Sequence, residues 1–142
     1  MARVEIAHTA HSAAPPAKVF ALLGDASTWP NWSQFTHFRL ERPGKGSPQG
    51  VGAIRELKTR ISKVHEEITG FEPERRVSYR LLSGMPLRNY EAETLLTPRD
   101  GGTDIMWRSH FEPERFAFFW RWLMRRVIAG IAEDLARAAE RR

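Results

Sequence analysis

ERFAFFWRWLMRRVIAGIAEDLARAAER, residues 114–141, is the stretch on which the architecture turns. Phe116, Trp120, Leu123, Val127, Ile131, Leu135 and Ala138 recur at steps of three or four, which draws one apolar stripe along an α-helix. Pro113 is expected in the first turn, where a missing donor costs nothing, with acidic Glu112 and Glu114 beside it. At 1.5 Å per residue the helix from Glu114 to about Arg141 would run ~40 Å. A stripe of that length needs a long partner surface. Phe118 and Trp122 fall on the opposite face beside Arg121 and Arg125. That face calls for cover by tryptophans of the short helices or by a homodimer partner, ahead of an anionic membrane surface. Gly130, a poor helix former, suggests a close approach or a bend.

The partner surface is written in residues 51–111. They divide into five alternating strands, with turns near Arg60, Pro73, Ser83 to Leu87, and Arg99 to Gly102. Setting Leu57 opposite Val64 places Arg55 against Glu66 and Ala53 against Ile68. Continuing antiparallel, Ile68 meets Tyr79, Gly70 meets Val77, Leu81 meets Tyr90, and Ala92, Thr94 and Leu96 meet Ser109, Trp107 and Ile105. One phase survives all four turns. It places Val51, Arg55, Leu57, Val64, Glu66, Ile68, Tyr79, Tyr90, Thr94, Trp107 and Ser109 inward, and Glu56, Lys58, Glu67, Arg80, Glu91 and Arg108 outward. An antiparallel meander with one polar face must cover the other, and the C-terminal helix is the available cover. Further upstream, residues 3–11 alternate as a half-buried strand. Pro15-Pro16 opens a short helix over Lys18–Leu23, Asp25–Trp32 makes a second short helical segment, and Phe35–Glu41 is another strand.

Length and composition bound the function. The 142 residues suggest one domain over 1–142. Zero cysteines remove disulfides, thiolate metal sites and cysteine nucleophiles. The absence of a signal-peptide pattern and of a long apolar run gives a cytoplasmic expectation. The net charge of +5 is carried mostly by arginine, without a helix-turn-helix, RNA-binding or zinc-finger pattern, so nucleic acid is not expected as a partner. Gly44–Gly52 (GKGSPQGVG) lacks the Lys-Ser/Thr ending and following helix of a phosphate cradle, and no cofactor is implied.

The inward face is not uniformly apolar, and that carries the functional expectation. Arg55 and Glu66 must pair, meet water or meet a ligand, because a lone buried charge is costly. With Tyr79, Tyr90, Thr94 and Ser109 they would form a polar floor in a cavity between sheet and helix. Val64, Ile68, Trp107, Trp120, Leu123 and Val127 would supply apolar walls. His8 shares the phase of Val4 and Ile6 and joins Glu66 and Arg55 as a weak catalytic candidate. His8 and His11 lie on opposite faces of one strand, while His37, His65 and His110 fall in the outward phase, so no metal site is expected.

The order of strand, two short helices, six-stranded meander and long helix resembles the START-like helix-grip fold. More narrowly it is similar to polyketide cyclase/dehydrase-like members of the SRPBCC superfamily. The residues that carry the resemblance are Ala14-Pro15-Pro16-Ala17-Lys18-Val19-Phe20, Asp25 with Trp29-Pro30-Asn31-Trp32, and Gly50-Val51-Gly52. Glu67-Ile68 running to Glu72-Pro73 and Gly101-Gly102-Thr103 with Trp107 complete them. The resemblance implies an α+β fold: a curved antiparallel sheet of about seven strands around the C-terminal helix. It also implies a hydrophobic cavity for a small apolar, lipid- or polyketide-like ligand, and no shared catalytic set. Binding of such a molecule is the leading expectation. A cyclase/dehydratase using Glu66 as proton carrier is the alternative, and a membrane-surface or protein-interaction module is the second alternative.

Overall fold

A computed structural model describes residues 3–141. Strand β1 (Val4–Ser12) leads through Pro15 into helix α1 (Pro16–Leu23), with Pro16 in the first turn, where its missing N–H is no loss. A 3-10 turn (Ala26–Asn31) follows. It is capped by the Asp25 carboxylate, which accepts from Ser27 N and from Gln49 Nε2. The sheet then continues as β2 (His37–Arg42), β3 (Ile54–Lys58), β4 (Lys63–Glu72), β5 (Arg76–Ser83), β6 (Leu87–Arg99) and β7 (Gly102–Pro113), and the chain ends in helix α2 (Ala117–Ala139). The seven antiparallel strands run in the order β1-β7-β6-β5-β4-β3-β2. This is the α+β helix-grip architecture that the sequence pattern implies.

Most of the register follows from the alternation. Leu57–Val64, Arg55–Glu66, Ile68–Tyr79, Ala92–Ser109, Thr94–Trp107 and Leu96–Ile105 all pair as expected. The extrapolation fails at bulges, which insert a residue and sharpen the local twist. Gly70 meets Ser78 instead of Val77, and Val77 pairs with Phe71. A Cβ on Gly70 would come within 2.3 Å of Ser78 Oγ, so the position admits no side chain without a shift. The β5–β6 ladder stops at Arg80–Glu91, so Leu81 does not pair with Tyr90. Val51 precedes β3 and is exposed, not inward.

Helix α2 begins later than the sequence pattern implies. Pro113 is the last residue of β7, and the helix starts after Phe116, which adopts a left-handed conformation (φ 57°) and is exposed. Its buried residues are Met124, Ile128, Ile131, Ala132, Leu135, Ala136, Ala138 and Ala139. The buried face is therefore wider than one stripe, and it shifts from Leu123 and Val127, which are only half-buried, towards Met124 and Ile128. Gly130 meets nothing: a Cβ there would have no neighbour within 4 Å. Its place in the helix therefore does not reflect a close approach.

Among the described residues, the side-chain contacts that tie the helix to the rest of the fold lie at its C-terminal end. Ser12 Oγ donates to Ala136 O (2.8 Å), Ala13 N to Glu140 Oε2 (2.7 Å), and Lys18 Nζ to Arg141 O (2.8 Å). His8 Nε2 lies 2.8 Å from Glu133 Oε2. The helix packs chiefly on β1 and β7 and against α1. The inner faces of β4, β5 and β6 beneath its first half are left incompletely covered.

Candidate functional site: an internal cavity with a buried ion pair

The uncovered space is a cavity of about 640 Å³ between the sheet and the first half of α2. That is the size range of small-molecule sites. Alternation along three neighbouring strands supplies the floor: Val64 and Glu66 from β4, Tyr79 from β5 and Tyr90 from β6. Leu123, Met124, Val127, Ile128 and Ile131 form the helical wall. Trp29 and Phe35 also line it. The β3–β4 turn (residues 59–62) and Met85 of the β5–β6 turn border it as well. Gly84 holds that second turn tight against β4: its φ is +116°, and a Cβ there would meet Lys63 O at 2.3 Å.

Arg55 and Glu66 are paired across β3 and β4 and both are buried. Arg55 Nε donates to Glu66 Oε1 at 2.9 Å, and Nη2 lies 2.8 Å from the same oxygen without the alignment of a second hydrogen bond. The guanidinium sits between two rings, 4.4 Å from the Trp29 centroid and 4.8 Å from that of Tyr79. Such cation–π contacts replace part of the hydration it has lost. The geometry makes Arg55 a backing group and leaves Glu66 facing the cavity. Among the described residues Glu66 Oε2 receives no hydrogen bond from the protein, so it can accept one, or a proton, from a guest. Burial pushes the Glu66 carboxyl above its ordinary range, against the pull of the Arg55 charge and hydrogen bond.

Tyr79 accepts a hydrogen bond from Trp107 Nε1 (3.2 Å), which leaves its own O–H free to donate. Burial, and next the Glu66 charge, raise its pKa, so it stays a neutral donor. Tyr90 is likewise pushed up by burial and stacks on Phe111 with centroids 5.7 Å apart.

Of the residues expected to line the cavity, Val64, Glu66, Tyr79, Tyr90, Leu123 and Val127 do so. Arg55 stands behind Glu66. Ile68, Thr94, Trp107 and Ser109 point to the inner side of the sheet and are buried, but they are not part of the cavity wall. Trp120 is half-buried beside Phe119 (5.5 Å between rings) and does not reach it either. His8 faces Glu133 at the anchored end of the helix, away from the cavity. Trp29, Phe35, Met124 and Ile128 were not anticipated. Met124 and Ile128 had a signal, since each directly follows a stripe residue and widens the apolar face.

On the convex face Glu41, Glu56 and His65 bring ligand-type atoms within 4.8 Å of one another. Arg39 lies 2.9 Å from Glu56 and 3.5 Å from Glu41, so the carboxylates already have a cation. A second concavity, about 730 Å³, lies on the same convex side. It is lined by ion-paired groups such as Arg76 and Arg108 with Glu93.

A curved seven-stranded sheet gripping one long helix over an internal cavity defines a helix-grip protein. The model of the family described as polyketide cyclase/dehydrase and lipid transport matches residues 3–140, and the chain belongs to that family. Solved structures share the fold at low identity. The crystal structure of Ara h 8.0201 is 18% identical, with a TM-score of 0.77 over 97% of this chain and 98% of that one. The protein XoxI from Bacillus cereus is 17% identical, with a TM-score of 0.76 over 97% and 95%. An uncharacterized protein from Bacillus thuringiensis is 15% identical, with a TM-score of 0.79 over 96% and 98%. No curated protein matches the sequence.

Proposed function

We propose that the protein binds a small, largely apolar molecule in the cavity beneath α2, with a hydrogen-bond donor at the molecule's inner end directed to Glu66. The observation that carries this is one Glu66 carboxylate oxygen, without a protein partner among the described residues, on a wall whose floor and helical side are mostly apolar and aromatic. An unfilled acceptor in such surroundings selects a guest that can satisfy it, because a guest lacking the donor displaces water from the second Glu66 oxygen without replacing its hydrogen bond. The membership in a lipid transport and polyketide cyclase/dehydrase family supports an apolar guest.

The test uses a neutral apolar fluorophore, displaced by a long-chain alcohol and by its methyl ether. The fluorophore should bind saturably, and the alcohol should displace it roughly tenfold better than the ether, the usual scale of one hydrogen bond to a charged group. Val127→Trp, at a half-buried wall position, should fill the cavity and abolish fluorophore binding while the protein remains folded. Unchanged affinity in that variant would remove the cavity from consideration, and equal affinity for alcohol and ether would remove Glu66.

A further inference from the structure

The first half of α2 and the residue before it expose aromatic surface that the described residues leave uncovered. Phe116 is 72% exposed, Phe118 89% and Trp122 54%. The tryptophans that could have covered them do not, because Trp29 and Trp32 are buried within the domain. Across the cavity's rim the β3–β4 turn raises Ile61, 96% exposed, beside the wall formed by Leu123 and Val127. The exposed apolar groups therefore belong to the same end of the molecule as the cavity's borders.

Along the helix itself the charges of this region have one sign. Arg115, Arg121, Arg125 and Arg126 occur in residues 115–132, which contain no aspartate or glutamate. Arg60 is exposed in the facing turn. None of these five arginines makes an ion pair with an acid among the described residues. The Arg126 guanidinium instead lies over the Trp122 ring, 5.4 Å from its centroid. Helical spacing places Phe118, Arg121, Trp122 and Arg125 on one face.

We propose that this rim docks on an anionic phospholipid bilayer, with Phe118, Trp122 and Ile61 entering the interface and the arginines meeting lipid phosphates. It rests on the ligand-binding reading above and adds where the guest is exchanged. Aromatic side chains interleaved with arginines suit the headgroup region, where an apolar body and a charged tip are both accommodated. A second copy of this chain fits less well. An isologous contact would set the face against itself and bring arginines towards arginines with no acid to receive them.

The experiment is co-sedimentation of the full chain with vesicles of phosphatidylcholine, with and without phosphatidylserine. The protein should pellet only with the anionic vesicles, and added salt should release it. Arg125→Glu/Arg126→Glu should lower the partition at least about tenfold, and Phe118→Ser/Trp122→Ser should lower it comparably. All four positions are exposed and outside the cavity, so fluorophore binding in vesicle-free solution should be unchanged in both variants. That control reads the cavity and the vesicles read the rim, so failure of one is distinguishable from failure of the other. Absence of wild-type pelleting, or equal pelleting of the charge-reversed variant, would overturn the proposal. A concentration-dependent dimer dissolved by Phe118→Ser/Trp122→Ser would overturn it in favour of self-association.

Discussion

Arg55 is the residue on which the interior is balanced. It neutralises Glu66, fills the space between Trp29 and Tyr79, and is only 4% exposed. Removing only one member of a buried pair leaves a bare charge, typically a loss of about 3–5 kcal/mol. Arg55→Ala should show that loss in urea denaturation, whereas Arg55→Met/Glu66→Gln, which removes both charges, should recover most of it. Equal destabilisation by the single and double variants would locate the effect in lost packing on the rings. The pair itself was legible in the sequence, because strand alternation fixes which residues share a face. Phase says nothing of depth along the strand, however. It could not separate Glu66 and Tyr79, at the cavity, from Thr94 and Trp107, which lie on the same face and are packed shut.

Among the elements, α2 shows the sharpest internal contrast. Its last two turns are tied to β1 and α1 by Ser12, Ala13, Lys18 and His8. Its first half faces the cavity with apolar side chains and presents the opposite side to solvent. Local opening follows such differences in buried contacts and hydrogen bonding. Amide hydrogen exchange should therefore be markedly faster over residues 118–127 than over 131–139, and a bound apolar guest should slow the first group selectively. Uniform protection along the helix would contradict this. The sequence showed the helix but misplaced its start, because Pro113 followed by Glu114 imitates a first turn. The chain instead extends β7 through Pro113 and reverses at Phe116. The order from β3 to β7 was readable because each connection there is a short turn, whereas alternation alone does not place β1 beside β7. The bulges were not, since nothing in alternation marks the residue at which it slips.

For the molecule as a whole, the convex face carries the dependence on acid. The Arg39 hydrogen bond holds the Glu56 carboxyl down to about 2, with His65 assisting, and Glu72 and Asp104 are held below their usual range by Arg76 and His11. A carboxylate depressed in the folded state contributes stability above its unfolded pKa and loses it as pH falls towards its folded value. The denaturation midpoint should thus fall progressively as pH drops from about 4.5 to about 2. Arg39→Gln should flatten part of that decline, and an identical pH profile in the variant would absolve Glu56. The one-ended attachment of α2 has a kinetic corollary for the entire protein. If a guest passes only when the free half of the helix lifts, the observed association rate will level off at high guest concentration, at the rate of lifting. That ceiling would be the same for short and long guests alike, and affinity differences among them would appear almost wholly in how slowly they leave.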